Sequence, residues 1–136
     1  MKLTSLKLNP FSSAGMDWYV RFGEAFEAGD PERVGRLMHD DVVLELNDFL
    51  PFYGKQTVCM ALDNYWVITR AMEYEPLNIY GDDFKFSAEV LAHRAPHNGD
   101  KVITIPFAAF YEREPGGLLR SIRVSIDLSP IYSPLV

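Results

Sequence analysis

Glu89 and His93 are the residues best suited by type and spacing to move a proton. They stand four positions apart in a run that reads as β-strand, so both project from one face, roughly 13 Å apart by strand rise. A histidine near neutral pH serves as acid or base, and a carboxylate in an apolar pocket has its charged form disfavoured and its pKa raised. If their face looks into a pocket, the two groups act on opposite ends of one ligand. The pattern admits a second register equally. It turns Phe84, Phe86, Ala88, Val90 and Ala92 inward and Glu89 and His93 toward solvent or a partner, and a slip of one residue decides between them.

A second set, Asn47, Asp48 and Tyr53, flanks an aromatic loop, Asn47 to Gly54, that has turn formers at both ends and a proline within. Asp48 offers a general base or a ligand acceptor there, although turn formation accounts for it more economically. Tyr65 and Thr69, with Trp18 and Tyr19, could bring polar tips to a pocket mouth, while aromatics at helical spacing ordinarily pack. His39 is expected at the end of a helix, where a cation suits the dipole, and His97 in a hairpin turn. With three histidines and one cysteine, Cys59, no metal-ligand spacing stands out, and an intrachain disulfide is excluded. Serine-nucleophile, phosphate-loop and dinucleotide motifs are missing. Chemistry in this chain is therefore expected to need no cofactor.

The elements that must position these groups follow from pattern. Trp18, Phe22 and Phe26 recur at helical spacing, predicting a helix over 17–28 with Asp17 as N-cap and Gly29 as stop. Asp30-Pro31-Glu32 opens a second helix with Val34, Leu37 and Met38 on its buried side, ended by His39-Asp40-Asp41. A short strand, Val42 to Leu46, follows. Val58, Leu62, Tyr65, Thr69 and Met72 form the stripe of a third helix, Lys55 to about Glu73. Four strands then alternate with turn clusters at Gly81-Asp82-Asp83, Ala95 to Asp100 and Arg113 to Gly117. Three helices and a short strand followed by an antiparallel meander make an α+β domain.

This order, with Phe26-Glu27-Ala28-Gly29-Asp30, Leu37-Met38-His39-Asp40-Asp41-Val42-Val43 and Tyr53-Gly54-Lys55, resembles the SnoaL-like, nuclear-transport-factor-like superfamily of polyketide cyclases, ketosteroid isomerase and limonene epoxide hydrolase. The resemblance covers about Asp17 to Leu128. It implies a cone-shaped α+β barrel, three N-terminal helices packed on a curved, mainly antiparallel sheet around one apolar pocket. It places Phe22, Leu46 and Ala108 at the isomerase's three functional positions. Val124, Leu44, Leu46 and the neighbourhood of Glu89 and Leu91 fall at those of the epoxide hydrolase. Neither machinery carries over. On the same correspondences the pocket is lined by Phe22, Leu44, Leu46, Leu91, Thr104, Pro106, Ala108, Phe110, Ile122, Val124 and Ile126, with Trp18, Tyr53 and Tyr65 at its entrance. It also implies a homodimer, expected through the sheet face carrying Phe107, Ala109 and Tyr111.

The 136 residues suit one domain, 17–128, between an arm at 1–16 and a tail at 129–136, and 48% hydrophobic residues supply its core. A net charge of −6 repels phosphate backbones and anionic lipid, which argues against nucleic acid and membrane partners. No apolar run is long enough to span a bilayer, and Asn9-Pro10 breaks the N-terminal stretch before it can form a secretory signal. A cytoplasmic location is expected. The expected function is cofactor-independent cyclisation, isomerisation or dehydration of a hydrophobic, polyketide- or terpenoid-like metabolite. Glu89, His93 and Asp48 are its acid/base candidates. The alternative is a noncatalytic binding or dimerisation module.

Overall fold

The computed structural model describes residues 1–9, 11–69, 71–94 and 101–132. His97 lies outside them. In chain order the elements are β1 (Lys7–Asn9), α1 (Ser13–Ala28), α2 (Pro31–Gly35), β2 (Met38–Leu46), β3 (Phe52–Tyr53), α3 (Lys55–Thr69), β4 (Met72–Gly81), β5 (Lys85–Arg94), β6 (Ile103–Arg113), β7 (Leu119–Ile126) and α4 (Ser129–Tyr132). The seven strands form one open sheet in the order β1-β4-β5-β6-β7-β2-β3. The expected α+β class holds, but the sheet does not close, so β1 and β3 are edges.

Local chemistry explains most boundaries. Ser12, not Asp17, caps α1: its hydroxyl accepts from the Gly15 N–H at 3.2 Å, so the helix starts four residues earlier than its apolar stripe. Asp83, reached across the fold, accepts from the Ser12 N–H and hydroxyl and fixes that start. Gly29 ends α1 in the left-handed conformation, and Asp30 caps α2 by accepting from Glu32 and Arg33, as the sequence predicts. Two helices are shorter than expected. The second stops at Gly35, and His39 lies in β2, where it meets Arg120 of β7 and Glu114. The third stops at Thr69, and Ala71, at φ 69, turns the chain so that Met72 and Glu73 enter β4.

The sheet register sets the site. Ala88 pairs with Ala109, Val90 with Phe107, and Ala109 in turn with Val124. These residues face the helices with Phe86, Ala92, Ile105, Tyr111, Ile122 and Ile126. Phe107, Ala109 and Tyr111 therefore face inward, correcting the expected dimer face. The outer face instead carries Thr104, Pro106, Ala108 and Phe110 from β6. The cause is β6 itself, Ile-Thr-Ile-Pro-Phe-Ala-Ala-Phe-Tyr, whose apolar residues fall on both faces. Only its neighbours decide which face is covered.

Gly81 closes the β4–β5 turn at φ 122, where an added Cβ would run into the Lys85 carbonyl and stand 2.8 Å from the Phe86 Cα. Both are backbone atoms and cannot step aside. Gly81→Ala is expected to destabilise the fold by roughly 1–3 kcal/mol, read as a lower urea midpoint. An unchanged midpoint would contradict this account of the turn.

Candidate functional site

Between the helices and the inner sheet face lies a cavity of about 320 Å³. That is the small end of the range for small-molecule sites. Helix α1 contributes Tyr19, Phe22, Gly23 and Phe26; α3 contributes Leu62, Asn64, Tyr65 and Ile68. The sheet contributes Leu44 and Leu46 from β2, Tyr74 from β4, Val90 from β5, Phe107, Ala109 and Tyr111 from β6, and Ile122 and Val124 from β7. Phe49 and Phe52 line the β2–β3 end, and Met1 lines the β4 end.

Against this apolar lining stand four phenols. Burial pushes Tyr19, Tyr74 and Tyr111 far above the ordinary phenol range and Tyr65 up to about 12. All four are therefore neutral hydrogen-bond donors at any physiological pH. The phenols stand beside one another, Tyr111 next to Tyr19 with ring centroids 5.8 Å apart and Tyr74 next to Tyr65, and in each case the neighbouring hydroxyl offsets part of the effect of burial on Tyr19 or Tyr65. A neutral phenol has one O–H to donate, and Tyr19 and Tyr65 both line the cavity. Aromatic contacts hold the rings in place. Tyr111 stacks on Phe86 at 4.7 Å, and Tyr65 and Tyr74 flank Phe26 at 6.0 and 5.7 Å.

Among the residues singled out from sequence, the cavity brings together Tyr19, Phe22, Leu44, Leu46, Tyr65, Ile122 and Val124. Trp18 and Ile126 are buried in the core beside it, Trp18 stacked on Phe22 and covered by the Arg113 guanidinium at 4.4 Å. Tyr53 and Asp48 are exposed, and the lining from that loop comes from Phe49 and Phe52. Leu91, Thr104, Pro106, Ala108 and Phe110 stand on the outer face by register. The residues missed from sequence are chiefly Tyr74, Tyr111, Phe107 and Ala109. A signal for the last three existed in β5, whose small apolar residues Ala88, Val90 and Ala92 occupy alternate positions and require an inward partner strand.

The sequence profile of the SnoaL-like domain matches residues 19–122, most of the chain. The chain belongs to the SnoaL-like family. Its fold is similar to that of a candidate SnoaL-like polyketide cyclase from Jannaschia sp. CCS1 (TM-score 0.75, 11% identity, 92% of this chain and 93% of that one). It is also similar to the epoxide hydrolase/cyclase-like enzyme SalBIII of pyran ring formation in salinomycin (TM-score 0.69, 12% identity, 85% and 92%). A third neighbour is an LEH-like epoxide hydrolase of M. tuberculosis (TM-score 0.68, 17% identity, 91% and 90%). At these identities the likeness is one of fold. No curated protein matches the sequence. SnoaL-like proteins include cyclases, isomerases and epoxide hydrolases.

In this SnoaL-like domain Glu89 and His93 face away from the cavity. Glu89 is exposed and accepts from the Asn78 side chain at 3.2 Å. His93 bridges three strands: Nε2 lies 2.7 Å from Glu75 Oε1 on β4, and Nδ1 lies 2.9 Å from the Thr104 hydroxyl on β6. The hydrogen bond from His93, helped by Lys2 and Ser5 of the N-terminal arm, holds the Glu75 carboxyl below its ordinary pKa. The arrangement staples β4, β5 and β6 on the outer face and covers Glu75 with the arm. Among the described residues no group of three or more His, Cys, Asp or Glu side chains is placed to hold a metal. No described helix is long and apolar enough to cross a membrane.

A carboxyl with a lowered folded pKa contributes stability that is complete above the unfolded value and lost as pH falls through the folded one. Wild type is therefore expected to exceed Glu75→Gln in denaturant midpoint above about pH 4.5, the ordinary value for this group, with the difference closing as pH drops below it. A difference that persists undiminished in acid would remove the His93–Glu75 bond from the account.

Proposed function

We propose that this protein is a cofactor-independent cyclase for an uncharged, hydrophobic, oxygen-bearing small metabolite of polyketide- or terpenoid-like character. One observation carries the reading: the neutral phenols Tyr19 and Tyr65 line an apolar cavity whose described lining holds no carboxylate or imidazole. Isomerisation and dehydration need a base beside the reacting carbon. Ring closure by the substrate's own nucleophile needs chiefly an electrophile held in position and its oxygen stabilised as charge develops.

The step balances without a co-reactant. A substrate hydroxyl or enol adds to a carbonyl carbon of the same molecule, forming a C–O or C–C bond, and the carbonyl π pair passes to oxygen. That oxygen takes a proton from Tyr19 or Tyr65, and the proton released by the nucleophile restores the phenol. An anionic ligand would lose its hydration with no cationic side chain among the described lining residues to compensate it, so uncharged substrates are favoured.

Binding of 2-acetylnaphthalene and of its carboxylate counterpart 2-naphthoate, followed by fluorescence, tests the reading. The ketone is expected to bind and the carboxylate not. Tyr19→Phe and Tyr65→Phe should each weaken the ketone by roughly two- to tenfold, the worth of one neutral hydrogen bond. Equal binding of the carboxylate, or indifference to both variants, would overturn it. With substrate in hand, loss of one donor should cost about 10²–10³ in turnover. A second reading, a binding module that holds such a ligand unchanged, is favoured by Phe22, Leu44, Leu46 and Val124. These line the cavity at positions where the resemblance to catalytic relatives leads one to expect polar groups. Recovery of bound ligand unaltered after prolonged incubation would select it.

A further inference from the structure

The β4 end of the cavity is closed by a side chain that belongs to none of the elements forming its other walls. Met1 lines the cavity, with its side chain only 3% exposed, at the end of an arm that reaches the site from the far edge of the sheet. The arm is anchored at three places. Strand β1 pairs in parallel with β4, the Lys2 N–H donates to the Tyr74 carbonyl at 3.0 Å, and the Met1 amino group lies 3.1 Å from the Glu27 carboxylate. Between Lys2 and Lys7 the chain is mostly exposed.

Room for Met1 is made by Gly23, in the middle of α1 and facing the cavity. A glycine inside a helix costs about 0.5–1 kcal/mol relative to alanine, and nothing about the turn of this helix asks for one. A Cβ at Gly23 would collide with the Met1 methyl and stand 3.3 Å from its sulfur. The glycine and the methionine are therefore fitted to each other. A methionine has three rotatable side-chain bonds and packs adaptably, so this wall can be moved at small cost, unlike the opposite end built on β2.

We infer that Met1, seated on Gly23, is a specificity-determining residue: it is the movable end wall that sets the length of apolar ligand the cavity accepts. The inference rests on the cavity being the ligand site proposed above. Strands β4 and β2 are four spacings apart in the sheet, roughly 19 Å, and the cavity runs between them from Met1 to Phe49 and Phe52. A ligand whose polar oxygen is held by the phenols extends its chain along that line until it meets Met1.

The test uses n-alkyl phenyl ketones of increasing chain length, which carry one carbonyl and no charge. In wild type each added methylene is expected to tighten binding about fourfold until a limit, beyond which affinity stops rising. Gly23→Ala, which forces the Met1 methyl from its seat without weakening the helix, and a variant lacking residues 1–6 should both move that limit to longer ketones. The same limit in all three proteins would overturn the inference. A second measurement decides the matter without any ligand: the methyl resonance of Met1 in protein labelled at its methionine methyls. It is expected away from the random-coil position in wild type and displaced from its wild-type position in Gly23→Ala. A wild-type methyl already at the random-coil position would overturn the inference as well. If no ketone binds any of the proteins, the proposed function fails, and the methyl resonance still decides whether Met1 is the wall.

Discussion

The structure depends on the register between β5 and β6. Pairing Ala88 with Ala109 and Val90 with Phe107 assigns one face of two long strands to the helices and the other to the outside. Every side chain on both strands follows, because a strand's faces alternate with period two. With this register the small residues Ala88, Ala92 and Ala109 line up under the helices and leave volume above them, while Phe107 and Tyr111 form part of its wall. With the register slipped by one, Glu89 and His93 would stand beneath α1 and α3 with no charged partner, and desolvation would weigh against it.

The same register explains why the polar chemistry of the chain divides in two. On the outer face the groups are ionisable and paired: His93 with Glu75 and Thr104, Glu89 with Asn78. On the inner face they are phenols. Burial disfavours the phenolate so strongly that each ring remains a donor, and all four of Tyr19, Tyr65, Tyr74 and Tyr111 line the cavity. Tyrosine is suited to this position because its ring adds to the apolar wall and its hydroxyl supplies polarity at one point only.

Helix placement is tied to the sheet by a few long-range contacts. Asp83, in the β4–β5 turn, holds Ser12 at the start of α1, and Asn47, at φ 52, grips the end of β7 by accepting from the Ile126 N–H at 2.8 Å and donating to the Ile126 carbonyl at 2.9 Å. The first fixes the helix that carries Tyr19. The second fixes the base of the loop that carries Phe49 and Phe52. Asn47 thus has a structural duty that its turn-forming character foreshadows, and Asp48 beside it stays in solvent.

The sequence by itself determined the order of α1, α2, β2, α3 and β4 to β7, the α+β class, the Gly29-Asp30-Pro31 junction and the family, because caps, breakers and periodicity are local and written in adjacent residues, while the short elements β1, β3 and α4 went unread. The resemblance to the family also placed Phe22, Leu44, Leu46, Ile122 and Val124 in the cavity, and they line it. Tertiary structure alone decided the rest. The start of α1 was set by Asp83, 71 residues away from Ser12. The facing of β6 was set by the strands on either side, since that strand is apolar on both faces. Tyr74 and Tyr111 became site residues only because β4 and β6 are turned toward the same helices. Such choices rest on contacts between residues distant in the chain, and no pattern within a single segment contains them.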